Sequence, residues 1–399
     1  MRIGIDARFY GTLGKGLGRY TEKLIQELEK IPGEDRFYIF LRQENFSEYT
    51  PQNKRFTKVL ADFPWYGWQE QLLFPLLLLR CRIDLMHFPH FNVPIFYWRP
   101  LVVTIHDLIL FHYPTVKASE LSPLLYWVKY RVYRIVIALA VWRAKRVFAV
   151  SQFTADDVAR AYPNAKSKIR VTYEAAERSC FWIEASAGEA YLKTHGLNPR
   201  GKSQSYILYV GNAYPHKNLE LLLAVAEHVP EKLFVCVGRA DFFYQRIKRE
   251  AVERKLSNVR FIGFVPDPLL SVLYREAESY FFPSLYEGFG LPALEACSYG
   301  TPVLALRAGA LPEILGEAGR FFDVSDVTLV AQAIRELGED AEGRKQLIAR
   351  GYARVSQFSW GRMAHATLKE YYESIPYARH STPRAVSPTK TNSNSNPSA

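Results

Sequence analysis

The sequence predicts an α/β protein of two Rossmann-like domains facing each other across a cleft, and three observations lead there. Apolar runs of four to seven residues alternate with longer segments of helical period, the pattern of βα units around parallel sheets. The alternation runs through two successive series of similar size, with the polar stretch 198–205 between them as a linker. The chain's 399 residues give room for two or three domains of about 150 residues each.

In the first series, strands are predicted at 2–6, 37–41, 56–60, 84–88, 101–105 and 146–150, with helical patterns at 19–31 and 124–142. The second helix places Leu124, Val128, Val132, Ile135, Leu139 and Trp142 at spacings of three and four, an apolar stripe suited to packing on a sheet. The string from Ser151 to Asp157, with hydroxyl residues three places before an acid, reads as a helix start. In the second series, strands are predicted at 206–210, 233–237, 259–262, 279–282, 302–305 and 320–322. Helices follow at 217–228, 242–255, 268–277, 291–299 and 327–338, and a last amphipathic one at 360–374. From 381 to 399, 14 of 19 residues are Ser, Thr, Pro or Asn, so a disordered tail is expected.

Hydrophobic residues at 48% and charged residues at 23% are ordinary globular usage and exclude a wholly disordered chain. The net charge of +11 attracts something anionic: nucleic acid, a lipid surface or phosphorylated small molecules. Between Lys117 and Arg146 lie seven basic residues and one acid, Glu120, so more than half of the excess sits in one short segment. Cys81, Cys180, Cys236 and Cys297 are too far apart in sequence to clip a zinc ion, and a chain this long needs no disulfide staple, which fits a reducing cytosol. The amino terminus lacks an apolar run long enough for a signal peptide. The apolar run 72–79 is too short to span a bilayer, and 121–142 carries Lys129, Arg131 and Arg134. A soluble protein, or one lying on a membrane, is therefore expected.

Four segments carry candidate chemistry. After the strand at 2–6 come Gly11, Gly14, Gly16 and Gly18, which either let backbone amides approach a phosphate or sugar, or simply make a supple connection. Their spacing departs from G-x-G-x-x-G, so no dinucleotide cofactor is expected. His106 follows the strand at 101–105, whose C-terminal end faces the ligand crevice, where a neutral imidazole could donate to a hydroxyl or carbonyl. A structural histidine, with Asp107 capping a turn, is the alternative, while His87 and His90 read as packing or acceptor-cleft residues. Lys217, at a helix start after the strand at 206–210, suits a diphosphate or is a solvated surface lysine. The fourth segment is Ser284-Leu-Tyr-Glu287-Gly288-Phe289-Gly290-Leu291-Pro292-Ala-Leu-Glu295. Pro292 suits a first helical turn, the glycines leave amides open for phosphate, and the two carboxylates accept from hydroxyls on either side. That is the layout of a sugar nucleotide.

With these residues the chain resembles glycosyltransferase family 4 enzymes of the GT-B fold from residue 1 to about 375. The resemblance implies domains at 1–197 for the acceptor and 198–358 for the nucleotide sugar, a helix at 359–376 crossing back to the first domain, and a tail at 380–399. It assigns Glu287 to the donor sugar's hydroxyls, Glu295 to the ribose, Lys217 to the diphosphate and His106 to the neighbourhood of the transferred sugar. Gly16 and Gly18 match the loop that closes over the diphosphate, and Gly288, Phe289, Gly290 and Leu291 complete the donor motif. Glu313, in Gly309-Ala-Leu-Pro312-Glu313, matches the next loop or merely caps a helix. The family usually sets a second cation beside the lysine; here His216 and Asn212 stand nearby, with Arg239 or Arg19 as substitutes.

The resemblance further implies retention of configuration without metal or other cofactor, consistent with the lack of an Asp-x-Asp motif, and catalysis by positive charge against the departing diphosphate. The style of Gly4-Ile-Asp-Ala-Arg8 and Gly18-Arg-Tyr20 resembles bacterial mannosyltransferases of surface-polysaccharide assembly, so GDP-mannose is the favoured donor and a glycan or lipid-linked saccharide the acceptor. The aromatic and basic segment 117–146 is expected either to be simply solvated or to dock on an anionic membrane, which would make the enzyme cytoplasmic and peripheral on the inner face. A UDP-sugar donor, an acceptor-independent sugar-nucleotide epimerase and a non-catalytic basic binding protein are the alternatives; nucleic acid is not an expected partner, since no such module is present.

Overall fold

A computed structural model describes residues 1–11, 15–114, 123–176, 184–202, 205–323 and 326–375. Gly14, Lys117, Glu120, Cys180 and the tail from 380 onward lie outside these residues. The first half of the chain builds a seven-stranded sheet from β1 (Arg2–Asp6), β2 (Arg36–Leu41), β3 (Phe56–Leu60), β4 (Leu85–Phe88), β5 (Leu101–Ile105), β6 (Val147–Ala149) and β7 (Ile169–Val171). Its helices are α1 (Lys15–Lys30), α2 (Trp68–Arg80), the short α3 (Ile109–His112), α4 (Pro123–Arg143) and α5 (Gln152–Ala161).

The second half opens with α6 (Ala185–Thr194) and builds a six-stranded sheet from β8 (Tyr206–Val210), β9 (Leu233–Val237), β10 (Val259–Gly263), β11 (Ser279–Phe282), β12 (Val303–Leu306) and β13 (Gly319–Phe322). Around it lie α7 (Leu219–His228), α8 (Phe242–Glu253), α9 (Asp267–Glu276), α10 (Leu291–Ser298), α11 (Leu311–Leu315), α12 (Val327–Glu339) and α13 (Ala341–Val355), before the final α14 (Trp360–Ser374).

Every strand pair in both sheets is parallel. Strands such as β5, Leu-Val-Val-Thr-Ile, are buried along their whole length because helices cover both faces. The spatial orders are β3-β2-β1-β4-β5-β6-β7 and β10-β9-β8-β11-β12-β13. Strand order therefore reverses between β1 and β4 in one sheet and between β8 and β11 in the other. The loops leaving the C-terminal ends of strands at such a reversal splay apart and leave a crevice. The glycine loop follows β1, the Lys217 turn follows β8 and the Glu287 loop follows β11, so these candidate segments stand at the two reversals.

Three expectations need correction. Leu192 and Leu197 already pack with Tyr206, Leu208 and Leu273 in a core of the second sheet, so the chain has changed units before the polar stretch 198–205. The three-residue edge strand β7 and helices α2, α6 and α13 escape the periodicity; α2 is apolar nearly all round and contains Pro75. On α4 the stripe sits on the wrong face for packing on the sheet. Val128 and Val132 are 52% exposed, Ile135 57% and Trp142 67%, while Ile137, Ala140 and Val141 are buried in one core with Val103 and Ile105 of β5. The helix carries two apolar stripes, and the one with alanines allows the closer approach.

Helix α14 returns to the first sheet, where Trp360, Met363, Ala364, Leu368 and Tyr371 share a core with Ile3, Ile5, Tyr20 and Leu24. Arg8 is fully buried just beyond β1; its guanidinium bonds Asp6 (2.8 Å) and Glu70 of α2 (2.6 Å), and Glu70 also accepts from Asn92 (2.8 Å). A buried ion pair with each partner further hydrogen-bonded fixes the loops after β1 and β4 against α2.

Candidate active site

The two halves meet through the loops at their strand ends. Lys217 ends a single turn of 3-10 helix, Pro215–Lys217, and Asn218 takes a left-handed conformation (φ 57°) that turns the chain into α7. Its amide donates to the Pro283 carbonyl (3.2 Å), and the Leu285 N–H donates to the His216 carbonyl (2.7 Å). These bonds bring the Lys217 turn and the Glu287 loop together. The Lys217 Nζ lies 2.6 Å from Glu287 Oε1, with both side chains largely buried. Burial, with Lys217 next to it, pushes the His216 ring down to about 3, so it is neutral near pH 7 and is not the second cation.

Gly288 carries the closest approach between the halves. A Cβ there would overlap the His106 carbonyl oxygen, and the Gly288 carbonyl accepts from Ser151 Oγ (2.6 Å) and Thr154 Oγ1 (3.1 Å). Ser151 also caps α5, accepting from the Thr154 N–H (3.0 Å), in agreement with the helix start predicted there. Gly290, at φ 93°, turns the loop into α10, where Pro292 occupies the first turn. Phe289 differs from its expected place: its ring is buried among Val150, Leu294, Ala310 and Ile314, against Phe358, so it packs between the halves instead of facing the cleft. Leu291 is half-buried against the same cluster.

Glu295 lies on α10 and accepts from Tyr274 OH (3.3 Å). Arg19 of α1 reaches across the cleft to pair with Glu295 and with Asp267 (2.9 Å). Burial raises the Glu295 carboxyl, opposed by the Arg19 charge. Gly18 is buried where a Cβ would strike the backbone carbonyls of Phe9 and Gly11, whereas Gly16 has open space around it. Asn212 shapes its own turn, its side chain accepting from the Tyr214 N–H (3.3 Å). Arg239 is exposed, its guanidinium 5.6 Å from the Phe264 ring centre, apart from the Lys217–Glu287 pair.

His106 departs most from expectation. Its Nδ1 lies 3.0 Å from Glu174 Oε1 and its Nε2 2.9 Å from the Pro89 carbonyl oxygen, so both ring nitrogens are engaged. His87 is wholly buried between Tyr371 OH (2.5 Å) and Thr104 Oγ1 (2.8 Å), which makes it a packing residue. His90 packs against Phe91 and Phe9 (3.9 and 5.4 Å between ring centres), and burial, with His106 next, pushes it down to about 3.

Two residues were not singled out by the sequence. Glu174 follows β7 as the partner of His106. Tyr286, adjacent to Glu287, inserts into the first half and donates to Asp157 (2.5 Å), which also meets His112 (2.8 Å). Glu313 does cap a helix, but across the interface: its carboxylate accepts from the N–H groups of Gln152 (2.7 Å) and Phe153 (2.8 Å) at the start of α5.

Two parallel sheets thus meet at their strand ends, with a cation and two carboxylates converging on the junction. Residues 14–176 match the family described as Glycosyltransferase Family 4, and residues 194–354 that described as Glycosyl transferases group 1. The chain is 30% identical over 381 residues to O-antigen chain mannosyltransferase B of Escherichia coli, covering 89% of this chain and 95% of that one. It is 24% identical to O-antigen chain mannosyltransferase RfbU of Salmonella typhimurium, covering 82% and 88%. Among solved structures, a sucrose-phosphate synthase from Thermosynechococcus elongatus superposes at a TM-score of 0.72 with 19% identity, covering 94% and 98% of the two chains. Anabaena HepE bound to UDP-glucose superposes at 0.69 with 17% identity, covering 94% and 99%. The chain belongs to glycosyltransferase family 4.

Proposed function

We propose that this enzyme transfers a mannosyl unit from GDP-mannose to a glycan or lipid-linked saccharide, with retention of configuration and without a metal. The observation that carries the transfer reading is the Lys217–Glu287 pair at the junction of the sheets, beside the start of α10. Glu287 accepts from the donor sugar's hydroxyls, Lys217 and the amides of residues 288–290 meet the diphosphate, and Glu295 accepts from the ribose once Arg19 releases it. The C1–O bond to the diphosphate breaks with its electron pair going to the diphosphate, the acceptor hydroxyl oxygen bonds C1 on the same face, and the hydroxyl proton passes to the departing diphosphate oxygen. Positive charge against the departing diphosphate supplies most of the rate. The mannosyl donor is favoured by the two O-antigen mannosyltransferases that cover most of this chain.

The test pairs thermal-shift measurements with turnover. GDP or GDP-mannose at 100 times its dissociation constant should stabilise the fold by about 2.7 kcal/mol. UDP and ADP at the same concentration should do less, and GDP release should require an acceptor and persist in EDTA. Stabilisation by UDP alone would move the donor to a UDP-sugar, and sugar conversion without an acceptor would make the enzyme an epimerase.

The enzyme is further proposed to dock on an anionic membrane from its cytoplasmic side. No helix among the described residues is long and apolar enough to cross a membrane. The exposed stripe of α4 is continued by Trp68, Leu72, Leu76 and Leu79 of α2 and by Phe96 and Trp98 between them. Arg143 ties the three together, donating to the Ile95 carbonyl (3.0 Å) with its guanidinium over Trp98, while Gln71 accepts from the Ile95 N–H (2.8 Å). Exposed Arg80, Arg82, Arg99, Lys129 and Arg131 flank these residues. Exposed tryptophans beside cations suit the headgroup layer. The protein should float with anionic vesicles at moderate salt, and Val132→Glu with Ile135→Glu should abolish flotation; a wild-type protein that stays at the bottom of the gradient would refute docking.

A further inference from the structure

The sequence leaves Lys217 without the second cation that its resemblance leads one to expect, and His216, which stands beside it, is neutral. The contacts of His106 supply an alternative. A neutral imidazole carries one N–H, whereas a carbonyl or carboxylate oxygen can only accept. The Pro89 carbonyl at 2.9 Å requires the proton on Nε2, and the Glu174 carboxylate at 3.0 Å requires one on Nδ1. With Glu174 ionised, both bonds form together only when the ring holds two protons. We infer that Glu174 is a positioning residue that keeps His106 as an imidazolium, the cationic half of a buried ion pair beside the Gly288 loop.

The surroundings favour this state on balance. Among the described residues the titratable groups facing the ring are Glu174 from the segment after β7, Asp107 on its own loop, His87 from β4, His90 from the loop after it and Tyr20 from α1. Burial opposes the charge, but the Glu174 hydrogen bond and charge, the Pro89 carbonyl and Asp107 outweigh it, so the ring is raised above its ordinary value. His87 and His90 are both pushed down to about 3 by burial and then by His106, so neither competes for the proton. The Tyr20 ring meets the imidazole edge-on, with 4.8 Å between centres, and holds its plane. Glu174 is 4% exposed, so its charge acts on the ring with little screening by water.

The location serves the proposed reaction, on which the mechanistic part of this inference rests. The His106 carbonyl lies against Gly288, and Asp107 feels the charges of His106, Glu287 and Lys217 together. A cation fixed here would act on the diphosphate as it departs, from beside the loop that carries Gly288. In this arrangement His106 is neither a general base nor a neutral hydrogen-bond donor, and the imidazolium needs no proton from the acceptor to become charged.

The test is a pH titration of the full chain with 15N-labelled histidine rings, using His106→Asn to assign the signal. In the wild type both ring nitrogens of His106 should remain protonated through neutral pH. In Glu174→Gln the midpoint should fall by about one to three pH units. Because the proposed reaction uses the protonated ring, activity should be full below its midpoint and lost above it. The alkaline limb of the kcat/KM profile should therefore move to lower pH in Glu174→Gln and return partly in Glu174→Asp. A merely structural role would lower activity at every pH without moving that limb. A neutral His106 ring near pH 7 in the wild type, or an unchanged midpoint in Glu174→Gln, would overturn the inference. The wild-type titration decides even if the variant does not fold. The ring signal needs no substrate, so a protein that fails to transfer mannose while showing the charged ring would refute the transfer reading alone.

Discussion

Lys217→Ala should reduce turnover by roughly a hundred-fold to a thousand-fold, the cost of removing one preorganised group that stabilises charge in a transition state. The variant should remain folded but melt earlier. Lys217 and Glu287 are largely buried and 2.6 Å apart, so deleting the lysine leaves a carboxylate with no cation against it, costing about 1–3 kcal/mol. Adding Glu287→Gln should restore much of the melting temperature, because a neutral amide tolerates the site, without restoring turnover. Stability and catalysis then separate in one pair of variants. A single variant with turnover within a few-fold of wild type would remove Lys217 from the proposed mechanism.

Gly288→Ala should be as damaging for a different reason. The methyl group would overlap the carbonyl oxygen of His106, which is backbone and cannot swing aside as a side chain would. The loop must withdraw, breaking the bonds from Ser151 and Thr154 to the Gly288 carbonyl and separating Lys217 from the histidine side of the cleft. Turnover should fall by at least about a hundred-fold, in line with the penalty for small displacements of reacting groups. The thermal shift produced by GDP should shrink without vanishing, because the amides of residues 288–290 are displaced while Lys217 and Glu295 stay together on the second half. Near-normal turnover would mean that the close contact at Gly288 is not needed for the reaction.

Much of the second half was legible because its local signals agree with its fold. Glu287, the glycines, Pro292 and Glu295 lie in one short string whose loop and helix need those residue types in that order. Lys217 was legible as a position, although its pairing with Glu287, 70 residues further on, depends on β8 and β11 being neighbours in the sheet. His106 was found by its place at the end of β5, but its partner was not. That partner is Glu174, 68 residues further on, in a segment with no motif of its own. The face of α4 was misread because it carries two apolar stripes, and periodicity cannot tell which one a sheet will accept. Phe289 looked like part of a donor motif because its neighbours are; its ring belongs to the packing between the halves.

The return of α14 has a consequence for synthesis. The first sheet's core takes side chains from both ends of the chain, Ile3 to Leu24 from one and Trp360 to Tyr371 from the other. A ribosome delivers the amino-terminal part first, yet that part cannot complete its interior until the last helix has left the exit tunnel. Throughout elongation the surface that Trp360 and Tyr371 will cover stays open to solvent. The nascent protein is therefore most exposed to misassembly in the half that folds first, and the arrival of α14 is what seals it.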